Sequence, residues 1–191
     1  MQNVQSKPRG LAERGLIGGL VFLALLFLGV SFARAAEIVP SIGVSAGSHG
    51  GDPQFSTGLA LRSTVIPFVK GELGVAYHRD SYSMSGSTLN STTWPVTASV
   101  WFAPVPFVYA GGGAGWYHST VSLAGAPVVA SVTEQAFGTH VGGGLRMPVA
   151  PLIALDLNAR YVVLQKRTNS LTSATYDPSF WTAALGLAVK F

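Results

Sequence analysis

Phe180-Trp181-Thr182-Ala183-Ala184-Leu185-Gly186-Leu187-Ala188-Val189-Lys190-Phe191 closes the chain, and its reading decides the fold. Trp181, Ala183, Leu185, Leu187, Val189 and Phe191 share one side of an extended backbone. Phe180, Thr182, Ala184, Gly186, Ala188 and Lys190 share the other. A period of two is the strand period, because successive side chains point to opposite faces. The oily row runs to the final residue with no polar tail. Water gives no reason to end an apolar face on phenylalanine; a surface facing acyl chains does.

At the other end of the 191 residues, Lys7, Arg9 and Arg14 precede an almost wholly apolar run over 16–30, followed by Ala33-Arg34-Ala35. A positive start, an apolar middle and small residues at the two positions a signal peptidase reads make a cleavable signal peptide. Cleavage is expected after Ala35, so that residues 1–35 are a leader and 36–191 the mature domain. The competing reading is an uncleaved anchor, since the run is near the ~17–20 residue lower limit for spanning a bilayer. Four basic residues (Lys7, Arg9, Arg14, Arg34) and Glu13 lie in the leader, so the formal charge drops from +4 to +1 in the mature chain. No basic patch remains to favour nucleic acid as a partner.

The chain has no cysteine, which excludes a disulfide scaffold, thiolate chemistry and cysteine metal sites. Charged residues are 10% and hydrophobic residues 48%, with 23 glycines. That balance is odd for a soluble domain, yet the mature chain offers no run of ~18 apolar residues. A membrane protein without hydrophobic helices has one architecture left, the closed β-barrel.

Eight strands are expected, over 37–47, 55–63, 67–79, 92–103, 107–118, 134–147, 152–165 and 179–191. In the seventh, Ile153, Leu155, Leu157, Ala159, Tyr161 and Val163 oppose Asp156, Asn158 and Arg160. In the first, Ile38, Ile42, Val44 and Ala46 oppose Ser41, Gly43 and Ser45. The sixth sets Phe137, Val141, Leu145 and Met147 against His140 and Arg146, and the third sets Val69, Leu73, Val75 and Tyr77 against Lys70, Glu72 and His78. Three connections are tight and proline-marked: around Pro67, over 103–106 and over 148–151. The other four, near 48–54, 80–91, 119–133 and 166–178, are longer and rich in Gly, Ser, Thr and Asn. Short turns on one side and long polar loops on the other mark an outer-membrane barrel, with both termini on the short-turn, periplasmic side. Aromatics near strand ends suit interfacial girdles, with Phe68, Phe102, Phe107 and Phe191 on the periplasmic side. Tyr77, Trp94, Trp116, Tyr117, Phe137 and Trp181 would form the outer one; a soluble barrel core would also use such residues.

The leader, the strand count, the run Tyr109-Ala110-Gly111-Gly112-Gly113-Ala114-Gly115 and the terminal Leu185-Gly186-Leu187-Ala188-Val189-Lys190-Phe191 together resemble small outer-membrane β-barrel proteins of Gram-negative bacteria, the OmpA-type and opacity-protein-like barrels. The resemblance implies an all-β, eight-stranded antiparallel up-and-down transmembrane barrel in the outer membrane. It implies outer-membrane lipid and lipopolysaccharide as surroundings. Export would use the secretion translocon, periplasmic chaperones and the barrel-assembly machinery, the last reading Leu185, Leu187, Val189 and Phe191. No peptidoglycan-binding domain like that of full-length OmpA-type proteins is expected within these 191 residues.

An eight-stranded barrel has an interior just wide enough for side chains to fill it. The inward charges Lys70, Glu72, Arg146, Asp156, Arg160 and Lys190 are therefore expected to pair and plug it, since an unpaired buried charge is costly; a gated ion path is the other reading. His49, His78, His118 and His140 show no metal-site spacing, and no metal or cofactor is expected. His140, expected to point inward near Glu134 and Ser131, is a candidate base for a lipid A hydrolase, because a serine hydroxyl needs one. The residues after it do not carry the serine and asparagine such an enzyme would show. If 119–133 closes a simple hairpin, Gly111, Gly113 and Gly115 face Gly142, His140 and Gly138. That low-volume patch either lets a small barrel bend under nearby aromatics or forms a lateral groove. The loops name no surface ligand. The sequence thus predicts a non-enzymatic envelope or surface-contact barrel. A narrow porin is the alternative and a lipid A-modifying enzyme a third reading; a soluble lipocalin-like barrel would reverse the two faces.

Overall fold

The computed structural model describes residues 36–48, 53–84, 87–124, 131–165, 167–168, 175–176 and 178–191. Over 80–84, 87–91, 121–124, 131–132, 134, 167–168 and 175–176 it describes the backbone alone. The leader, His49 and the centres of the loops at 48–54 and 166–178 lie outside the described residues.

Alternation makes the strands, and their closure makes the fold. The elements are β1 (Ala36–Gly47), β2 (Gln54–Ile66), β3 (Val69–Met84), β4 (Ser87–Val105), β5 (Val108–Ala124), β6 (Ser131–Ala150), β7 (Ile153–Leu164), the two-residue β8 (Arg167–Thr168) and β9 (Thr175–Tyr176), and β10 (Phe180–Lys190). Eight of them form a closed barrel in the order β1-β10-β7-β6-β5-β4-β3-β2, every pair antiparallel; β8 and β9 pair separately. β1 meets β10 at the seam, with Ile38 opposite Val189 and Ile42 opposite Leu185. Among the described residues no helix is long and apolar enough to cross a membrane.

The two faces are inverted relative to a water-soluble barrel. Ile42, Phe55, Leu59, Val96, Val100, Val141, Leu145, Leu157 and Leu185 point outward and are exposed. Arg62, Glu72, His140, Arg146 and Asp156 point inward and are buried. Only a solvent of acyl chains favours that arrangement, since it leaves apolar area outside and satisfies ionic groups against one another.

The strands differ from the sequence-based expectation in their upper ends. Residues 80–91 and 119–133 were expected as loops, yet pairing continues to Met84 opposite Ser87 and to Thr88 opposite Ala124. Thr88, Thr92, Thr93, Thr120, Val121, Val132 and Thr133 supply β-branched residues there. Their polarity reads as loop only if every strand must carry an apolar face. The short turns also shift. β4 runs through Val105 and turns at Pro106-Phe107, while β6 runs through Ala150 and turns at Pro151-Leu152. Each of the three hairpins carries a β-bulge before its turn, at Thr64/Ile66, Phe102/Val105 and Pro148/Ala150, which takes up the extra residue.

Tyr117 does not belong to the outer aromatic girdle. It has the inward parity of β5, shared with Tyr109, Gly111, Gly113 and Gly115, and is buried against Val162, Leu164 and Phe180. Tyr77 and Trp94 do meet on the outside, edge to face at 4.8 Å.

Candidate functional site

The interior is built from one residue per strand level, and its centre is Arg62. Register sets Glu37 of β1 beside Arg62 of β2, and Arg62 beside Glu72 of β3. The guanidinium donates through Nε to Glu72 Oε2 at 2.8 Å and through Nη1 to Asp156 Oδ2, across the lumen on β7, at 2.7 Å. Its plane lies over the Tyr109 ring, 4.8 Å from the centroid. Tyr109 donates its hydroxyl to Asp156 Oδ1 at 2.6 Å and accepts from Asn158 Nδ2 at 3.0 Å. Arg160 donates through Nε to Asn158 Oδ1 at 2.6 Å and through Nη2 to Glu72 Oε1 at 2.7 Å. Below this cluster, Arg146 grips Glu37 with both terminal nitrogens, and Lys70 approaches the same carboxylate at 3.6 Å. Each buried carboxylate thus meets at least one guanidinium, which is the condition for holding charge in a low-dielectric interior.

Of the six charges expected inside, Lys70, Glu72, Arg146, Asp156 and Arg160 lie in this network. Lys190 does not. It keeps inward parity, but it sits on the last strand residue, is exposed at the rim and makes no ion pair among the described residues. Its distance from the middle of the strand, not its face, decides this. Two members were missed. Glu37 stands next to the expected cleavage point, where it reads as a terminal residue. Arg62 has the parity of Ser56 and Ala60 against outward Phe55 and Leu59, so the alternation of its own strand pointed it inward.

The glycine patch spans β5 and β6 in the expected register, with Gly111, Gly113 and Gly115 opposite Gly142, His140 and Gly138. It faces the lumen and does not form a groove toward lipid. His140 reaches over Gly113 to Ser99 of β4, Nε2 to Oγ at 2.9 Å. A side chain at Gly113 would collide with the Ala98 carbonyl. Trp101, fully buried, packs edge to face on Tyr109 at 5.3 Å and carries the Arg160 guanidinium over its ring at 5.0 Å. His140 therefore partners Ser99 inside the barrel, 2% and 3% exposed, away from any acyl chain. The side chains of Glu134 and Ser131 lie outside the described residues. Among the described residues no three His, Cys, Asp or Glu side chains converge to hold a metal ion.

Toward the long-loop end a second, apolar layer crosses the lumen: Tyr117, Val162 and Leu164 with Ala136 and Phe180. His78 and Tyr117 flank Phe180 with ring centroids at 5.5 and 6.0 Å. A cavity of about 100 Å³ lies between this cap and the ionic floor, against the small residues Ser41, Ser56, Gly58, Ala60, Gly74 and Gly186. The inward face thus carries two layers, one of charge pairs and, toward the long-loop end, one of rings.

Apolar residues outside, paired charges inside and a strand seam that leaves no edge along the barrel body describe a membrane-spanning barrel. The family described as "Outer membrane protein beta-barrel domain" matches residues 20–191. This chain belongs to that family. Solved structures similar to this outer-membrane barrel include Ail, the attachment invasion locus protein of Yersinia pestis, at 15% identity and a TM-score of 0.58, covering 83% of this chain and 98% of that one. Neisserial surface protein A is similar at 16% identity and a TM-score of 0.54, covering 84% and 99%. The outer membrane protein OprG from Pseudomonas aeruginosa is similar at 12% identity and a TM-score of 0.53, covering 83% and 96%. At these identities the likeness is one of fold. No curated protein matches the chain.

Proposed function

We propose that this outer-membrane barrel is a sealed pedestal for surface contact in a Gram-negative envelope, without a catalytic role. One observation carries the reading: four strands outrun the other four. Residues 79–84 of β3 pair with β4 alone, because β2 pairing stops at Ser56 opposite His78. Residues 131–137 of β6 pair with β5 alone, because β7 pairing stops at Gly138 opposite Leu164. At ~3.3 Å per residue and the usual strand tilt, the four-stranded sheet β3-β4-β5-β6 rises about 15 Å beyond the barrel body. A doubly plugged lumen makes the body a rigid support for that sheet. The names of the attachment invasion locus protein and of Neisserial surface protein A agree with such a use.

The outward face takes outer-membrane lipid, with lipopolysaccharide around the upper girdle. Residues 1–35 act as the export leader for the secretion translocon, and Leu185, Leu187, Val189 and Phe191, all exposed on one face, present the signal read after periplasmic chaperones deliver the chain to the barrel-assembly machinery. The test is to shorten the hairpins at 80–91 and 120–132 to tight turns. Retained heat-modifiable gel mobility with lost adhesion to cells or matrix supports the pedestal; unchanged adhesion overturns it. The narrow-porin reading has one observation of its own, the cavity lined by Arg160 and Asn158, and steady conductance of the wild-type barrel in a planar bilayer would favour it.

A further inference from the structure

Apart from proline, the three short turns carry none of the usual turn residues. None of residues 65–69, 102–108 or 147–153 has a polar side chain. Hairpin turns that face water draw on Asn, Asp, Gly and Ser, which supply positive φ or bond their own backbone. Here the turn pairs are Pro67-Phe68, Pro106-Phe107 and Pro151-Leu152. Phe68, Phe107 and Leu152 are exposed by 60%, 56% and 60%, and the neighbouring Ile66, Val105, Val149 and terminal Phe191 are exposed as well. Phe68 even adopts φ 67°, a left-handed conformation that costs a bulky L-residue about 1–2 kcal/mol and would suit glycine.

The backbone at these tips is also prepared for a dry medium. Proline removes the N–H at the first position of each turn. The carbonyl at the second position accepts a hydrogen bond from the next strand around the barrel: Phe68 from Ala103 N–H at 2.7 Å, Phe107 from Arg146 N–H at 2.8 Å, and Leu152 from Lys190 N–H at 2.9 Å. Phe191 N–H completes the rim by donating to Ala36 at 3.0 Å. In hydrocarbon an unsatisfied backbone group costs several kcal/mol, so irregular backbone there needs such partners.

Height decides whether these tips lie at the interface or deeper in the leaflet. On β4 the outward aromatics Trp94 and Phe102 are separated by a rise of only about 20 Å at the usual strand tilt. An outer-membrane barrel needs an apolar band ~25 Å tall. Adding the tip at Phe107 brings the band to about 30 Å. The apolar tips are continuous with the lipid-facing surface, and exposed Lys190 stands beside them, where its ammonium can reach lipid phosphates.

We propose that the turn end of the barrel is seated inside the periplasmic leaflet, with Phe68, Phe107, Leu152 and Phe191 among phospholipid acyl chains and Lys190 at the headgroups, so that no turn projects into periplasmic water. This rests on the outer-membrane reading for its orientation. The absence of cysteine gives a clean background for spin labels. Phe68→Cys, Phe107→Cys and Leu152→Cys are labelled after refolding into phosphatidylethanolamine/phosphatidylglycerol vesicles, with Val100→Cys as the lipid-facing reference and Arg79→Cys as the water-facing one. Heat-modifiable mobility first certifies each barrel. Tip labels whose oxygen-to-nickel accessibility ratio lies nearer Val100→Cys than Arg79→Cys support the seat. Ratios like that of Arg79→Cys overturn it, as do labels that become shielded from both reagents only in native envelopes, where a periplasmic protein would be the cover. Replacing Pro67-Phe68 by Asn-Gly gives a turn that folds in water; its position 69 label should move toward the nickel reagent if the wild-type tip is seated, and an unmoved ratio counts against the seat. The adhesion assay reads the opposite end of the barrel and fails or succeeds independently.

Discussion

Arg62 is the residue on which the interior turns, because its one guanidinium serves carboxylates from β3 and β7. Arg62→Ala leaves Glu72 with Arg160 alone and Asp156 with no guanidinium, and removing one partner from a buried pair costs about 3–5 kcal/mol. The expected outcome is a marked fall in the urea midpoint of the vesicle-folded barrel, with partial recovery when Asp156→Asn is added. A midpoint equal to wild type would mean the floor is not held by these pairs. Gly113→Ala is the second residue-scale test. A Cβ there meets the Ala98 carbonyl and the Ser99 backbone, so strands β4 and β5 must part and His140 must leave Ser99. Overpacking of this kind costs about 1–3 kcal/mol, read in the same titration, whereas Ala110→Ser on the outward face of the same strand should change little. The charged residues of β3, β6 and β7 were legible because each sits in a clear alternation. Arg62 lies one residue before the expected end of its strand, where a charge reads as part of the turn, and Trp101 was missed because an aromatic near a turn reads as a girdle residue until its parity is counted.

At the scale of single strands, alternation identified all eight, and the prolines located the three tight connections. What composition could not give was strand length above the membrane. There both faces meet water, the apolar signal disappears, and only β-branched content and pairing register remain. Register also decided that the glycine patch of β5 and β6 faces inward, which composition alone left open. A prediction belongs here: Val141→Arg, on the outward face of β6, should cost about 2–4 kcal/mol if it lies near the bilayer midplane, and clearly less if placed near an interface. Arginine scanning along β6 at Phe137, Val141 and Leu145, measured by urea unfolding in vesicles, should peak at the middle position. A flat profile would contradict lipid contact along this strand.

For the whole molecule, the proposed seal has two layers in series. Arg62→Ala loosens the ionic floor but leaves Tyr117, Phe180 and Leu164 across the lumen, so conductance should remain at the wild-type level. Phe180→Ala opens the cap but leaves the charge pairs. Only the double variant should conduct steadily in a planar bilayer, and conductance from either single variant would show that one plug alone makes the seal. The closed circuit of strands has a further consequence for how the chain is made. Ala36 and Phe191 are neighbours across the seam, so the first barrel segment to leave the ribosome finds this neighbour only after the last barrel strand has been made. Contacts that far apart in sequence slow folding, and an incomplete cylinder would present bare amides to hydrocarbon. Truncation anywhere before β10 should therefore yield degradation products and not a smaller barrel, which makes insertion an act of the complete set of strands.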